Sequence, residues 1–325
     1  MAKTDYPHSV VTPSVSSSYN TAKPALEAGP PQHFTLKRLV IFANLCRPHV
    51  EQAVEDVVAW CRARSIITCI DARNPSTDEL GGTHVWPLTD SDLHRRCESA
   101  DAAVCLGGDG TLLFAARTLS DHNIPLLAVN MGSVGFHTQA TRGDLLNRLQ
   151  DIADGKFQTE TRMMLAISQG DHHIVVLNDV VVTKPDWGHM IHVRVLVNGD
   201  IISDVDADSL VVSSATGSSG YNFAAGGPVL APTMQAMILN AICPHRSRFS
   251  PVVLEPDAHV EIRIRRKQSQ NEVLVLADGH PWLRARHQDI LRVHRAPVAL
   301  KLVVFRSQFW QQMRDKLRWG ALQEP

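Results

Sequence analysis

The sequence predicts an α/β N-terminal domain with a parallel sheet, followed by a β-rich, sandwich-like C-terminal domain. Three observations carry that expectation. Short aliphatic runs alternate with helical-period segments over residues 36–145. Beyond residue 160 the pattern changes to alternating strand-type runs separated by turn signals. The chain has 325 residues and is 44% hydrophobic, enough to divide a core between two domains.

Residues 1–34 are rich in Ser, Pro, Thr and Ala and lack a period, so they read as a disordered tail. Leu39-Val-Ile-Phe42 is a short apolar run suited to a buried parallel strand. Val50, Ala53, Val54, Val57, Val58 and Cys61 recur at helical spacing and predict a helix over 50–63. Residues 66–70, 103–106 and 124–129 read as further strands, with a helix over 111–119 between the last two. Ligands on such sheets bind at the carboxyl ends of the strands, where residues 107–110 and 130–136 fall.

In the second part, residues 175–183, 191–197, 201–205, 210–213, 252–254, 260–264 and 273–276 read as strands. Asn198-Gly199 marks a hairpin. Residues 232–242 open on Pro232 and read as a helix, and residues 307–319 as another.

Composition excludes several classes. A formal net charge of −1 gives no basic face for nucleic acid. The six cysteines form no C-x-x-C pair, which favours reduced thiols in a cytoplasmic protein over zinc or disulfides. No H-E-x-x-H occurs among the 16 histidines, and His172-His173 on a strand would face opposite ways. The N-terminus has no secretory core. Residues 209–244 lack Asp, Glu, Lys and Arg, but Ser, Thr, Gly, Pro and Asn punctuate them, so a binding loop fits and a membrane span does not.

Three stretches bear chemistry. Cys105-Leu-Gly-Gly-Asp-Gly-Thr-Leu-Leu113 lacks the lysine of a P-loop and the third glycine of a dinucleotide fingerprint. A strand–GGDG–helix arrangement still offers backbone amides to a phosphate at Gly107, Gly108 and Gly110. Asp109 either caps the helix or takes a proton from a nucleophilic hydroxyl during phosphoryl transfer. Ser213-Ser-Ala-Thr-Gly-Ser-Ser-Gly-Tyr-Asn222 is small, uncharged and hydroxyl-rich, which suits a ribose or a base with Tyr221 as a flat partner. A flexible linker is the alternative, disfavoured by the apolar elements on both sides. Asn178-Asp179 interrupts Val175-Val-Leu-Asn-Asp-Val-Val-Val182 and reads either as a bulge or strand edge, or as a bridge to vicinal hydroxyls. Asp206 and Asp208, read alone, form a solvated turn, and His189 and His280 are ordinary histidines.

Taken together these stretches resemble the NAD kinase family over about residues 36–320. The motifs are Leu106-Gly-Gly-Asp-Gly-Thr111, Asn130-x-Gly-x-x-Gly-Phe136, Leu177-Asn-Asp-Val180, Asp208-x-Leu-Val-Val-Ser213, Thr216-Gly-Ser-Ser-Gly-Tyr-Asn222, Ala225-Gly-Gly-Pro228, Ile242-Cys-Pro-His245 and Asp278-Gly279. GGDG alone is shared with lipid kinases and phosphofructokinases; the ordered series is specific. The C-terminal Phe309-Trp-x-x-Met-x-x-Lys-Leu-Arg-Trp319 resembles the bacterial branch.

The resemblance implies transfer of the γ-phosphate of ATP to the 2′-hydroxyl of the adenosine ribose of NAD, with Mg2+ or another divalent cation carried by ATP rather than by a protein metal site. It implies Asp109 as the base and Gly107, Gly108 and Gly110 at the phosphates. It places Asp109, Gly110, Phe136, Asn178, Asp179, His189, Asp206, Asp208, Thr216, Ser219, Gly220, Tyr221, Asn222, Phe223, Ala224 and His280 around NAD. The expected partners are NAD and ATP, with no nucleic acid or membrane, in a cytoplasmic homodimer or homotetramer. The expected divisions are a tail over 1–34, an α/β nucleotide-binding domain over 35–145, a β-rich NAD-binding domain over 146–300, and a segment over 301–325 that returns to the first domain.

The chain departs from the family pattern at Ser209, Ala215, His137 and Asp206, where relatives often carry Gly, Pro, Leu and Arg. Two other readings compete. A lipid or sugar kinase could use the same GGDG loop, although the uncharged loop over 213–222 suits neither. A non-catalytic NAD(H) sensor could keep the pocket, although it would not need Asp109.

Overall fold

The computed structural model describes residues 34–47, 49–73, 79–80, 83–87, 96–132, 135–185, 189–245, 249–265, 272–305 and 309–317. The expected tail lies outside them except for Phe34, whose ring packs edge-on against Phe157.

The first part runs β1 (Arg38–Asn44), α1 (Val50–Arg62), β2 (Ile67–Arg73), β3 (Glu79–Leu80), β4 (Thr83–Pro87), β5 (Ala102–Gly107), α2 (Asp109–Leu119), β6 (Pro125–Asn130), β7 (Ala140–Thr141) and α3 (Leu145–Ala153). β6, β5, β1 and β2 lie side by side, all parallel. Alternation along β1 shows why the sheet is buried on both faces. Leu39, Ile41 and Ala43 meet α1 and α3, while Val40 and Phe42 meet α2. The apolar stripe read from the sequence of α1 is the one that is buried.

The second part runs β8 (Gln158–Gln169), β9 (His172–Val176), β10 (Asp179–Thr183), β11 (Ile191–Val197), β12 (Asp200–Ala207), β13 (Ser209–Ser214), α4 (Tyr221–Ala224), β14 (Met237–Ile242), β15 (Val252–Leu254), β16 (Val260–Ile264), β17 (Val273–Ala277), β18 (His280–Ala285), β19 (Ile290–Val304) and α5 (Phe309–Leu317). One antiparallel sheet has the order β15-β14-β13-β10-β17-β18. It packs against β8, β11, β12, β16 and β19 through a shared core that includes Val180, Val212, Leu239, Val193, Ile262 and Leu291. That is the expected sandwich. Asn198 and Gly199 both take positive φ and close the β11–β12 hairpin.

β19 joins the two parts. Its first half pairs antiparallel with β16, and Lys301 and Leu302 pair parallel with Pro125 and Leu126 of β6. A single 13-stranded sheet therefore runs from the parallel layer into the sandwich.

Two expectations are corrected. Of the helix expected over 232–242, residues 232–236 form a turn and irregular chain and residues 237–242 form strand β14, which lies between β13 and β15. Residues 237–241 are all buried, so the run carries no helical face, and its pairing partners decide its form. The strand expected over 175–183 is broken at Leu177 and Asn178 into β9 and β10, which belong to different sheets.

Candidate active site

β5 ends at Gly107, and α2 begins at Asp109. The helix N-cap is Gly108, whose carbonyl accepts from the amides of Thr111 and Leu112 at 3.0 and 3.1 Å. Asp109 is therefore the first helical residue and not the cap, and it is exposed. Gly135 returns to the same edge. A Cβ at Gly135 would collide with Asp109 Oδ1, so the bare glycine lets its backbone close against the carboxylate. Phe136 follows, half-buried.

The strands flanking this loop, β1 and β6, each end in a tight turn at the same edge. Asn44 Oδ1 accepts from Cys46 N after β1, and Asn130 Oδ1 accepts from Gly132 N at 2.8 Å after β6. The β1 turn carries Arg47. Its guanidinium lies against Gly108, where a Cβ would sit 2.7 Å from Nη2, and near Gly132, where it would sit 3.3 Å from Nη1.

The second cluster is the break between β9 and β10. The Asp278 carboxylate accepts from the amides of Leu177, Asn178 and Asp179 at 3.0, 2.7 and 3.3 Å. On the other side, Ser214 Oγ donates to Leu177 O and Ser214 N donates to Asn178 O at 2.8 Å. Gly217 presses on the Asn178 backbone so closely that a Cβ would overlap it. The turn is thus held at its amides by the β17–β18 corner and at its carbonyls by the end of β13. Two side-chain atoms in this packed region, Asn178 Oδ1 and Thr216 Oγ1, are buried without a hydrogen-bond partner. Buried polar atoms are paired in native proteins, so both point to a ligand or water that completes them.

Electrostatics set the turn apart. Burial, and secondarily the neighbouring Asp278, pushes the Asp179 carboxyl up to about 7. Burial also raises Asp278, against the pull of its three amide donors and of the more distant Arg117 charge on α2.

The hydroxyl-rich loop divides into two kinds of residue. Tyr221 is 47% exposed, Gly220 and Ala224 are exposed, and Ser219 and Phe223 are half-buried. Asn222 is fully buried: Nδ2 donates to the carbonyls of Ser218 and Pro228, and Oδ1 accepts from Asn240. Its amide holds the loop together from inside. Two aspartates are engaged locally, Asp206 with His192 Nδ1 at 2.7 Å and Asp208 with Lys184 at 2.8 Å. His280 is exposed on the corner that carries Asp278, and His189 is exposed beside β11. At the departure Ser209, the hydroxyl donates to Thr183 across the β10–β13 pair at 2.8 Å.

Two groups escape a reading of the sequence, the Asp278 carboxylate and Arg47, while the Ser213–Ser214 hydroxyls, read there as ligand-facing, donate to the carbonyls of the turn at Leu177 and Asn178. Asp278-Gly279 stands out there only as a motif without a role. A basic residue just after the first strand is the signal that could draw attention to Arg47.

Two family models match the chain, the ATP-NAD kinase N-terminal domain over residues 43–157 and the ATP-NAD kinase C-terminal domain over residues 177–305. An NAD kinase of Geobacter metallireducens is 36% identical over 291 residues, covering 88% of this chain and 99% of that one. One of an Azoarcus species is 33% identical, covering 84% and 92%. Among solved structures, yeast NADH kinase complexed with NADH superposes with a TM-score of 0.77 at 19% identity, covering 90% of this chain and 89% of that one. An NAD kinase from Archaeoglobus fulgidus in complex with ATP superposes with a TM-score of 0.65 at 22% identity, covering 86% and 98%. At those identities the superpositions speak for the fold.

Proposed function

The chain belongs to the NAD kinase family, and we propose from this how its residues phosphorylate NAD with ATP to give NADP. The 2′-oxygen of the adenosine ribose attacks the γ-phosphorus of ATP. The new O–P bond forms as the bond to the β-phosphate oxygen breaks, and ADP leaves. The proton of the 2′-hydroxyl passes to the Asp109 carboxylate, which stands exposed where β5 meets α2. A carboxylate is a weak base for an alcohol, so its effect grows as the bond forms and the hydroxyl becomes acidic. Alignment and charge stabilisation supply the rest.

Gly107, Gly108 and Gly110 give the phosphates access to the amides at the start of α2. Asn178, Asp179 and Thr216 hold the hydroxyls of NAD. Gly110, Ser219, Gly220, Tyr221, Phe223 and Ala224 line it, Phe136 packs against the adenine, and His189, Asp206, Asp208 and His280 stand at its rim. Asn222 serves this surface from within. A divalent cation, Mg2+ for example, enters with ATP as part of the donor. Among the described residues no group of three His, Cys, Asp or Glu side chains stands together to hold a metal ion.

We place the enzyme in the cytoplasm as a homodimer or homotetramer. The free thiols of Cys61, Cys69 and Cys97, raised to about 12 mainly by burial, and of Cys105, also raised by burial, suit a reducing compartment. Exposed Ile201 and Ile202 on β12 and Val252 and Val253 on β15, both edge strands, suit association between copies. No described helix is long and apolar enough to cross a membrane.

The observation that carries the reading is the pair Asn178 Oδ1 and Thr216 Oγ1, buried and unbonded in an otherwise saturated turn. It suits a neutral, hydroxyl-bearing acceptor. The test is NADP formation by the purified protein with ATP, magnesium and NAD. Neither NADP from NAD nor NADPH from NADH, with ATP or polyphosphate as donor, overturns it.

A further inference from the structure

We propose that Arg47 binds the donor phosphates, clamping the triphosphate across the two glycine loops. This rests on the function proposed above and deepens it. β1, β5 and β6 are adjacent and parallel, so the loops after them share one edge of the sheet. Arg47 comes from the first, Gly108 from the second and Gly132 from the third. The guanidinium reaches both glycines, 2.7 Å from a Cβ position at Gly108 and 3.3 Å from one at Gly132. A side chain at Gly108 would force it away.

Arg47 is held for this position. Its amide donates to Asn44 O at 3.0 Å, inside the turn that Asn44 also closes with its side chain. The next described residue, His49, takes a left-handed φ of 66° at the N-cap of α1, a conformation that non-glycine residues rarely adopt outside constrained sites. Among the described residues no carboxylate pairs with Arg47.

The reaction supplies the reason for a cation here. The Asp109 carboxylate must approach an anionic γ-phosphate, and that repulsion needs a counter-charge that magnesium shares with the protein. Arginine presents a planar fork of donors that matches two phosphate oxygens at once. The contact is with phosphate and not with the adenine, so it serves any triphosphate.

The test compares wild type, Arg47→Ala and Arg47→Lys in the full chain. Steady-state kinetics are run with ATP and NAD varied separately, and calorimetry uses MgATP and inorganic tripolyphosphate as probes. For Arg47→Ala the expected result is a rise in the KM for ATP on the order of tenfold or more. The KM for NAD stays within about twofold, and tripolyphosphate loses affinity in parallel with ATP. Lysine restores part of the loss. Gly108→Ala, which displaces the guanidinium, costs less in the Arg47→Ala background than in wild type. Unchanged ATP and tripolyphosphate binding in a folded Arg47→Ala protein overturns the proposal, as does an equal loss for NAD and ATP. Because the binding measurements need no turnover, they remain decisive if the wild type forms no NADP.

Discussion

Asp278 Oδ1 lies 2.7 Å from the backbone amide of Asn178, a residue 100 positions earlier in the chain. The same carboxylate also takes the amides of Leu177 and Asp179. Asp278 returns an amide of its own to Asp179 O at 3.0 Å. Replacing Asp278 with Ala strands these buried donors and should cost about 2–4 kcal/mol of stability. It should also raise the KM for NAD more than that for ATP. Asp278→Asn keeps an acceptor oxygen and should recover part of both losses. Thermal melts and two-substrate kinetics check this; equal effects on both substrates would speak against a positioning role.

Asp109→Asn should keep the fold, because Asp109 is exposed and does not cap α2. It removes the proton acceptor, so turnover should fall on the order of a hundredfold to ten-thousandfold. NAD affinity by calorimetry should change by less than about threefold. Full activity in this variant would take Asp109 out of the chemistry.

Two glycine substitutions should fail in different ways. A methyl at Gly135 meets the Asp109 side chain, which can rotate aside. Gly135→Ala should therefore melt within a few degrees of wild type and lose about tenfold or more in kcat. A methyl at Gly217 meets the Asn178 backbone, which cannot rotate away. Gly217→Ala should lose about 1–3 kcal/mol of stability and bind NAD weakly. Melting temperatures and kcat, measured side by side, separate the two.

Asp179 has a folded pKa of about 7, above its ordinary value of 3.8. Between those values the folded state holds a proton that the unfolded state has lost. The associated stability is fully present below about pH 4 and is lost as pH rises through 7. Asp179→Asn removes this dependence and should be more stable than wild type at pH 8, on the order of 4 kcal/mol. The gap should close toward pH 4. If the carboxylate accepts from ribose hydroxyls, NAD affinity in the wild type should strengthen as pH rises through about 7. Melts and calorimetry across neutral pH test both, and a pH-independent gap would contradict burial of the carboxylate as its cause.

Asn222 and Tyr221 are neighbours in sequence with opposite surroundings. Asn222→Ala leaves the carbonyls of Ser218 and Pro228 and the amide of Asn240 short of partners inside the fold. It should cost about 2–3 kcal/mol. Tyr221→Ala trims a ring that is 47% exposed and should leave the melting temperature within a few degrees while weakening NAD binding. Chemical denaturation and calorimetry distinguish them.

The fold class, the main strands and helices of the parallel layer and the place of the GGDG loop are legible in the sequence, because each follows from local pattern. The aliphatic runs of β1, β5 and β6, the helical stripe of α1 and the turn pair Asn198-Gly199 each carry their own period or turn chemistry. Asn178 and Asp179 stand out in the same way, as polar residues in an aliphatic run.

Other features arise only when distant parts of the chain meet. Residues 237–241 are buried without exception, so their apolar run has no period to read, and strand partners from distant sequence make them part of β14. The break at Leu177 and Asn178 exists because a carboxylate from residue 278 takes their amides and the end of β13 takes their carbonyls. Arg47 meets Gly108 and Gly132 because parallel strands bring their carboxyl ends to one edge. Hydrogen bonds and packing between residues far apart in the chain leave no periodic trace in it, and they place the candidate site's groups against one another.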